Sequence, residues 1–325
     1  LTGLQISAPA NYSGTVTVDV ISTAEETNLT DTETTTSNNT NSTTNSVTFE
    51  WTAQADAPTL NVADAEVLED GTVFVPVEAA LSDTDGSEYV SVIVQGVPLN
   101  WTFSGTGWQP TGNPGEYRVT APAGDDYSDG FSLKPPADSD VDLSGITVTA
   151  ISTETANFDQ SSVDEDIDVT VDAVADGVTV NAQDASGNED TALDVDFSAV
   201  LQDTDGSESI TGYEISGVPT GFTFNTGTDL GGGVWSFTPQ QIANLQISAP
   251  QDYNGTINLT VSVTNVEGVS DGEFDLTNNT KTTTASDPLT LTWHPVSDPP
   301  VIEWNPNGAT GVADARVYED GTVNV

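Results

Sequence analysis

One six-residue motif recurs letter for letter in this chain, first at Asp83-Thr84-Asp85-Gly86-Ser87-Glu88 and then, 120 residues later, at 203–208. An acidic pair stands fourteen residues before each copy, at Glu69-Asp70 and at Glu189-Asp190. A period of this length, with acids at the same offsets, predicts tandem domains that each carry the same acidic cluster. The fold of this chain therefore has to be built from modules of about 120 residues.

Other words of the sequence follow the same period. The run 4–9, Leu-Gln-Ile-Ser-Ala-Pro, returns at 245–250, and each copy leads into a Tyr-x-Gly-Thr word. These repeated motifs divide the chain into four parts. They are the C-terminal part of one repeat (1–57), two full repeats (58–177 and 178–300) and the N-terminal strands of another (301–325).

Hydrophobic residues alternate with polar ones in short runs rich in β-branched side chains, and Gly, Pro and Asn bound these runs. This pattern is typical of strands, and no stretch shows a helical period. We therefore predict an all-β fold of tandem immunoglobulin/cadherin-like β-sandwich domains in an elongated array. Three polar stretches, 25–46, 154–166 and 266–288, have low hydrophobicity and are predicted as solvated loops.

The charge of the chain limits the classes of function that are possible. Asp and Glu number 51 against 4 Lys and Arg, which gives a formal net charge of −47. Such a chain repels nucleic acid, and its self-repulsion opposes a compact state unless cations bind. It has no Cys, so disulfides and thiolate metal sites are excluded, and no apolar run approaches the length of about 20 residues that would insert into a membrane. Met is also absent, at position 1 as elsewhere, and we interpret the sequence as an excerpt of a longer chain.

The repeated motif has the composition of a calcium site. Calcium takes six to eight oxygen ligands at flexible geometry, whereas magnesium gives up its water reluctantly. The Asp-x-Asp-Gly-x-Glu pattern supplies three carboxylates on one tight turn, and neighbouring acids would complete the shell. The alternative is a turn without metal, since Asp and Gly favour turns on their own.

Further acids recur around the junctions between repeats, at Asp56, Asp176 and Asp298. A second acid follows each of them and stands five residues before a Glu. The distance from junction acid to that Glu is 13 residues at the first two junctions and 21 at the third, which carries an insertion. The predicted calcium ligands are Asp56, Asp64, Glu69, Asp70, Asp83, Asp85, Glu88, Asp176, Asp184, Glu189, Asp190, Asp203, Asp205, Glu208, Asp298, Asp314 and Glu319.

The Glu-Asp-Gly-Thr word at 69–72, the two copies of the motif and the Gly-Val-Pro words at 96–98 and 217–219 resemble the cadherin-like repeats of giant bacterial adhesins of the RTX type. The resemblance implies an extracellular protein of the bacterial cell surface, secreted by a type I system. It also implies calcium-rigidified extender domains that serve cell attachment or biofilm formation, with neighbouring repeats of the same chain as partners.

In cadherin-like arrays, calcium is held by a Glu from the start of a domain, a mid-domain Asp-x-Asp and a linker Asp. The resemblance therefore implies one set that joins Glu69 to the Asp-x-Asp at 83–85 and to Asp56 or Asp64. It implies a second set that joins Glu189 to the Asp-x-Asp at 203–205 and to Asp176 or Asp184. Whether the ions lie between domains or within them stays open.

Two other functions are compatible with the sequence. One is a self-assembling extracellular filament or surface-layer subunit, in which copies of the chain exchange strands. The other is a carbohydrate-binding module that uses Trp101 and Trp108 as an exposed aromatic patch for glycans. Trp51 and Trp293 are predicted as core anchors. An enzyme is not predicted, because the single His, His294, has no counterpart in the other repeats and the carboxylate groups recur once per domain.

Overall fold

The structure is a computed structural model that describes residues 3–26, 40–203, 205–268 and 282–298. Within these ranges every regular element is a β-strand, so the all-β prediction is confirmed. None of these residues lies in a helix long and apolar enough to cross a membrane. The chain divides into two compact units. The first contains residues 1–177, 201–209 and 265–283, and the second contains 178–200, 210–264 and 284–325.

The first unit holds a long hairpin and two larger sheets. The hairpin pairs β1 with β2, one sheet has the order β3-β5-β10-β7, and the other has the order β4-β12-β11-β6-β9-β8. All neighbours in these sheets are antiparallel except β4, which pairs parallel to β12. The strands are β1 (Gly14–Glu25), β2 (Thr40–Trp51), β3 (Thr59–Asn61), β4 (Ala65–Leu68), β5 (Val73–Ala80), β6 (Glu88–Gln95), β7 (Thr102–Ser104), β8 (Gln109–Pro110), β9 (Tyr117–Thr120), β10 (Tyr127–Lys134), β11 (Leu143–Glu154) and β12 (Gln160–Asp172).

Alternate residues of the two larger sheets form one apolar core, as the period-two pattern predicts. The core is closed by an aromatic group around Trp108, which is 6 % exposed. Its indole N–H donates to the Gly130 carbonyl at 2.9 Å, and Phe103 and Phe131 pack edge-on against its ring. Trp101 is buried too, at 8 % exposure. The predicted exposed aromatic patch of Trp101 and Trp108 is therefore wrong, because both indoles fill the core.

The second unit repeats the parallel edge. A six-stranded sheet has the order β14-β23-β22-β17-β20-β19, a three-stranded sheet has the order β15-β21-β18, and β13 pairs with β16. As β4 does with β12, β14 runs parallel to β23. The strands are β13 (Val178–Gln183), β14 (Ala185–Asn188), β15 (Leu193–Asp194), β16 (Asp196–Leu201), β17 (Ser209–Ser216), β18 (Thr223–Phe224), β19 (Thr228–Gly231), β20 (Val234–Phe237), β21 (Gln246–Ser248), β22 (Gly255–Val266) and β23 (Thr282–His294).

The two predicted Trp anchors behave differently. Trp293 is 1 % exposed and packs edge-on against Phe222 and Tyr253, so its assignment to the core is confirmed. Trp51 is half-buried and contacts Tyr12 and Phe49. In the described residues no second sheet lies over this ring, because the sequence begins inside this repeat.

The polar stretches between the last two strands of each repeat are shorter loops than predicted. Strand β2 already begins at Thr40, β12 at Gln160 and β23 at Thr282. Their first residues are Ser, Thr, Asn and Asp, which alternate little in hydrophobicity. They are nevertheless extended because the preceding strand of the hairpin pairs with them through backbone hydrogen bonds. Residues 27–39 and 269–281 lie outside the described residues.

Candidate metal centre

The repeated motif folds into the same turn twice. Asp83 Oδ1 accepts the N–H of Asp85 at 2.8 Å, and Asp85 Oδ1 accepts the N–H of Ser87 at 2.7 Å. The second copy repeats both bonds at 2.8 Å, from the carboxylates of Asp203 and Asp205. Gly86 and Gly206 follow with φ of 90° and 97°, a backbone conformation that costs Gly little. One oxygen of each Asp therefore builds the turn, and in the second copy the other oxygen of Asp203 accepts the Ser207 hydroxyl at 2.7 Å.

The Glu that ends the motif is buried in both copies. Glu88 is fully buried and Glu208 is 6 % exposed. One carboxylate oxygen of each accepts the backbone N–H of a junction acid, Asp56 or Asp176, while Oε2 has no hydrogen-bond partner. Burial raises the pKa of both groups, against the lowering effect of that N–H. Each Glu therefore points one unsatisfied oxygen into the protein.

Around the second motif three carboxylates meet. Oxygens of Asp203, Glu208 and Glu267 all lie within 4.8 Å of one another. Glu267 is 2 % exposed, and neither of its oxygens has a hydrogen-bond partner. Burial raises the pKa of Glu267 to about 7; the nearby Ser207 hydroxyl opposes this shift, and the charges of Asp203 and Glu208 add to it. Burying an ionised Glu267 here without a partner is therefore costly.

A second group of three carboxylates lies in the same unit. Asp70, Asp138 and Asp176 also bring oxygens within 4.8 Å of one another. Asp70 and Asp138 both adopt left-handed backbone conformations, with φ of 58° and 57°, and the N–H of Asp138 donates to Asp70 Oδ1 at 3.3 Å. Burial, followed by the charges of Asp70 and Asp138, raises the pKa of Asp176. Lys134 donates to the Asp70 carbonyl oxygen at 2.9 Å.

Glu69 connects the two groups. Its Oε1 accepts the N–H of Val174 at 2.5 Å, and its Oε2 is buried without a hydrogen-bond partner. Burial raises the pKa of Glu69 to about 8; the Val174 N–H opposes the shift, and the charges of Glu267, Asp203 and Asp176 increase it. We call the whole set the seven-carboxylate cluster: Glu69, Asp70, Asp138, Asp176, Asp203, Glu208 and Glu267.

The first motif carries a smaller set, the four-carboxylate cluster of Asp56, Asp83, Glu88 and Glu154. Burial raises the pKa of Glu154; the Ser87 hydroxyl opposes this shift, and the charge of Asp83 adds to it. Glu154 is 2 % exposed and its Oε2 has no hydrogen-bond partner. A cavity of about 480 Å³ lies beside these side chains and is lined also by Asn11.

In the second unit, Asp190, Asp252 and Asp298 form the Asp190 triad, with oxygens within 4.8 Å of one another. All three side chains are exposed. The N–H of Asp252 donates to Asp190 Oδ1 at 2.9 Å, as in the Asp70 and Asp138 pair. Glu189 is buried beside them and accepts the Val296 N–H at 2.5 Å, which repeats the arrangement of Glu69 and Val174.

Several predicted ligands serve the backbone instead of these groups. Asp64 Oδ1 accepts the N–H of Asp168 at 2.9 Å, and Asp184 Oδ1 accepts the N–H of Thr290 at 2.7 Å. Each therefore secures the parallel strand pair beside it. Asp314 and Glu319 lie outside the described residues.

The grouping also differs from the one that the resemblance implies. Glu69 lies with Asp176 and Asp203, whereas Asp83 lies with Glu88 and Glu154. The Glu at the start of one sequence repeat is thus brought to the motif of the following repeat.

Four acids of these groups were not predicted: Glu154, Glu267, Asp138 and Asp252. A signal for them exists in the sequence. Glu154 ends β11 and Glu267 directly follows β22, so both stand at the end of the same strand of the repeat. Asp138 and Asp252 follow the Pro-containing word before that strand, and they share a left-handed conformation with Asn11 of the first, partial copy.

No protein-family model matches the chain, and no curated protein matches it either. Among solved structures it is similar to the titin domains Z1Z2 in complex with telethonin, at 12 % identity over 75 % of this chain and 100 % of that one, with a TM-score of 0.27. It is similar to the adhesin FdeC of Escherichia coli at 16 % identity over 79 % of this chain and 69 % of that one, with a TM-score of 0.24. A cohesin–dockerin complex of Clostridium thermocellum matches at 8 % identity over 38 % of this chain and 99 % of that one, with a TM-score of 0.26. Likenesses of this strength carry no inference about function.

Proposed function

We propose that this chain is an extender segment of a large bacterial surface adhesin of the RTX type, and that calcium ions bound to its acidic clusters stabilise and stiffen it for cell attachment or biofilm formation. The observation that carries the proposal is Glu267, whose two carboxylate oxygens are buried, unpartnered and next to two further carboxylates. Burying an ionised carboxylate without a partner is costly, and a divalent cation removes that cost.

The donor set fits calcium better than other metals. Every side chain in the seven-carboxylate cluster offers oxygen, and the chain has no Cys. Hard cations prefer such ligands, and a site with many carboxylates and uneven spacing suits the flexible coordination of calcium rather than the strict octahedron of magnesium. Transition metals that prefer sulfur or imidazole find neither within the cluster.

The residues that would hold calcium fall into two groups. Asp203, Glu208 and Glu267 form one, and Asp70, Asp138 and Asp176 form the other. Glu69 supplies a free oxygen near both. Calcium bound to these oxygens would cancel their mutual repulsion and tie together segments that are more than 190 residues apart in sequence, since Asp70 and Glu267 then belong to one charged assembly.

Binding to the folded state alone would couple stability to calcium concentration. A segment that stays folded and stiff in calcium-rich extracellular fluid can hold a terminal binding module away from the cell. The carbohydrate-binding alternative loses its proposed patch, since Trp101 and Trp108 are buried.

Isothermal titration of the metal-free 325-residue chain with calcium chloride tests the proposal. We expect binding, with a loss of tenfold or more in affinity for the tightest sites in Glu267→Gln. Glu78→Gln is the matched control, because Glu78 is exposed and its carboxylate accepts a hydrogen bond from the Asn61 side chain at 3.3 Å. Absence of binding heat, together with an unchanged melting temperature in calcium, would contradict the proposal.

A further inference from the structure

One cation of the first unit forms no ion pair within the described residues. Arg118 lies on β9 between Tyr117 and Val119, whose side chains pack in the core, so its own side chain lies on the outer face of the six-stranded sheet. The side chain is partly buried, and its Nε is buried without a hydrogen-bond partner. The chain has 51 Asp and Glu against 4 Lys and Arg, so an arginine without an ion pair is unexpected and indicates a site for another anion.

The acid that stands closest to Arg118 in sequence is already satisfied by neutral donors. The Glu116 carboxylate accepts the Thr111 hydroxyl at 2.6 Å and the Gln95 amide at 2.7 Å. It also accepts the Asn113 amide at 3.1 Å. The Thr111 hydroxyl lowers the pKa of Glu116 most, and the charge of Arg118 contributes least. The guanidinium therefore keeps its donors for a group from outside the chain.

The strand register surrounds Arg118 with polar side chains. Ile93, Arg118 and Gln109 lie opposite one another on β6, β9 and β8. Ser91 and Thr120 form the next pair, and their hydroxyls are 2.9 Å apart. In the described residues β8 is the last strand of this sheet, so this face is accessible from that side.

Two cavities of about 500 Å³ each meet at this position. Arg118 and Thr120 line both of them. The cavities are lined further by an aromatic ring, two hydroxyls and an amide, from Tyr89, Ser91, Thr111 and Gln109. A concave surface with one cation and several hydrogen-bonding groups around it is typical of a site for a small polar ligand.

The second full repeat lacks these side chains. The Val97 N–H donates to the Gly115 carbonyl, as the Val218 N–H does to the Gly233 carbonyl. Three residues after these glycines stand Arg118 in one repeat and Ser236 in the other. The residue after the motif Glu is likewise Tyr89 in one repeat and Ser209 in the other. The shared fold therefore requires neither the arginine nor the tyrosine.

These groups fit a sugar that carries one carboxylate. A guanidinium binds a carboxylate through two parallel hydrogen bonds. Hydroxyls and amides exchange hydrogen bonds with sugar hydroxyls, and the ring of Tyr89 offers an apolar face to sugar C–H groups. A polyanion is disfavoured, because the net charge of −47 repels it. A peptide strand is disfavoured too, because the edge strand β8 has only two residues and one of them is Pro110.

We propose that Arg118 and the side chains around it bind an acidic saccharide, with the guanidinium on its carboxylate and the hydroxyl and amide groups on its hydroxyls. None of the residues of the carboxylate clusters lines the two cavities, so this site is independent of the proposed calcium binding. It would give an extender segment a ligand of its own.

Saturation-transfer difference NMR on the 325-residue chain in calcium-containing buffer tests the proposal, with D-glucuronic acid as the probe. D-Glucose is the matched neutral sugar, since it lacks only the carboxylate. We expect glucuronic acid to bind and glucose to bind about tenfold more weakly or not at all. Absence of glucuronic acid binding, or equal binding of the two sugars, would overturn the proposal.

Variants of Arg118 assign the binding to this position. We expect glucuronic acid affinity to fall about tenfold or more in Arg118→Gln and less in Arg118→Lys, which keeps the charge but not the two parallel hydrogen bonds. Lys134→Gln is the control, because it removes another cation of the first unit that lines neither cavity. Melting temperature shows that each variant is folded. Equal affinities of the unmodified chain and Arg118→Gln would place the sugar elsewhere and overturn the proposal.

A triglutamate peptide separates a saccharide site from a general carboxylate site. We expect it to leave the glucuronic acid signals unchanged when both are present at equal concentration. Displacement of the sugar by the peptide would overturn the assignment to a saccharide and show that Arg118 binds acidic peptides.

Discussion

The seven-carboxylate and four-carboxylate clusters are built from the same positions of the repeat, yet the described residues bring different numbers of acids to them. Asp83, Glu88 and Glu154 correspond to Asp203, Glu208 and Glu267. The second set is joined by Glu69, Asp70 and Asp138 of the preceding sequence repeat, whereas the positions equivalent to Glu69 and Asp70 for the first set fall before residue 1. At the first set the counterpart of Asp138 is the neutral Asn11, which lines the adjoining cavity.

The seven-carboxylate cluster draws its acids from two successive sequence repeats. Each repeat supplies one group of acids near its motif and another around its initial Glu-Asp pair. The described Asp190 triad is the second kind of group by itself, and its side chains are exposed. Among the described residues, repulsion between carboxylates should therefore be greatest at the seven-carboxylate cluster.

The largest effect is expected from removing calcium altogether. At a calcium concentration of about 100 times Kd, each ion contributes about 2.7 kcal/mol, equivalent to about 5 to 10 °C in melting temperature. Differential scanning calorimetry in calcium and in excess chelator measures this shift, with magnesium as the control ion. Identical melting in all three buffers would mean that calcium stabilises neither cluster and would contradict the proposed function.

Two matched variants separate the clusters. Asp176→Asn removes a carboxylate that lies within 4.8 Å of Asp70 and Asp138, whereas Asp56→Asn changes the corresponding residue of the smaller cluster. We expect calcium affinity at the tightest sites to fall tenfold or more for Asp176→Asn and less than threefold for Asp56→Asn, measured by titration calorimetry. Equal losses would mean that the smaller cluster binds calcium as well as the larger one.

The pH dependence should reverse with calcium. Burial raises the pKa of Glu69 to about 8 and of Glu267 to about 7, so without calcium their contribution to stability is full below about pH 4.5 and is lost as pH rises through 7 and 8. With calcium, ionised carboxylates are the binding form, so the stabilisation by calcium grows over the same range.

Melting temperatures between pH 5 and 8.5, with calcium and with chelator, measure this divergence. Glu69→Gln should reduce it, because the raised pKa of Glu69 is one of its two sources. Parallel pH curves in the two buffers would refute the assignment.

The smallest effect concerns the residue that supports the motif Glu. Asn265 donates at 2.8 Å both to Glu208 Oε1 and to the Asp176 carbonyl, whereas its counterpart Ser152 donates to the Asp56 carbonyl. Asn265→Ser should lower the free energy of unfolding by about 1 to 3 kcal/mol, measured by urea denaturation. Ser152→Asn is the reciprocal control, and it should change stability less. The reverse order would show that the two supports are not equivalent.

Much of the fold could be predicted from the sequence, because a strand with one buried face alternates hydrophobic and polar residues. Val90, Val92 and Val94 of β6 are all fully buried, as their alternation requires. The polar beginnings of β12 and β23 were missed, since residues exposed on both faces leave no such period. Trp101 and Trp108 were predicted at the surface because glycines lie between them. Burial of a large aromatic ring is favourable enough to outweigh that signal.

The site was predictable in part. The repeated acids Glu69, Asp203 and Glu208 were found because exact recurrence marks them. Glu267 and Asp138 were not, since their offsets from the motif vary with the length of the intervening segments. The pairing of Glu69 with the following repeat is a three-dimensional fact that spacing along the chain cannot give.

Asp176 gives this chain a mechanical property. Its amide N–H is held by Glu208 and its carbonyl by Asn265 and Thr283, while its carboxylate faces Asp70. Tension applied along the backbone at this residue would load all of these attachments together, because none can lengthen without the others. We expect these attachments to resist pulling together at Asp176, so that the backbone there is held more firmly than by any one of them.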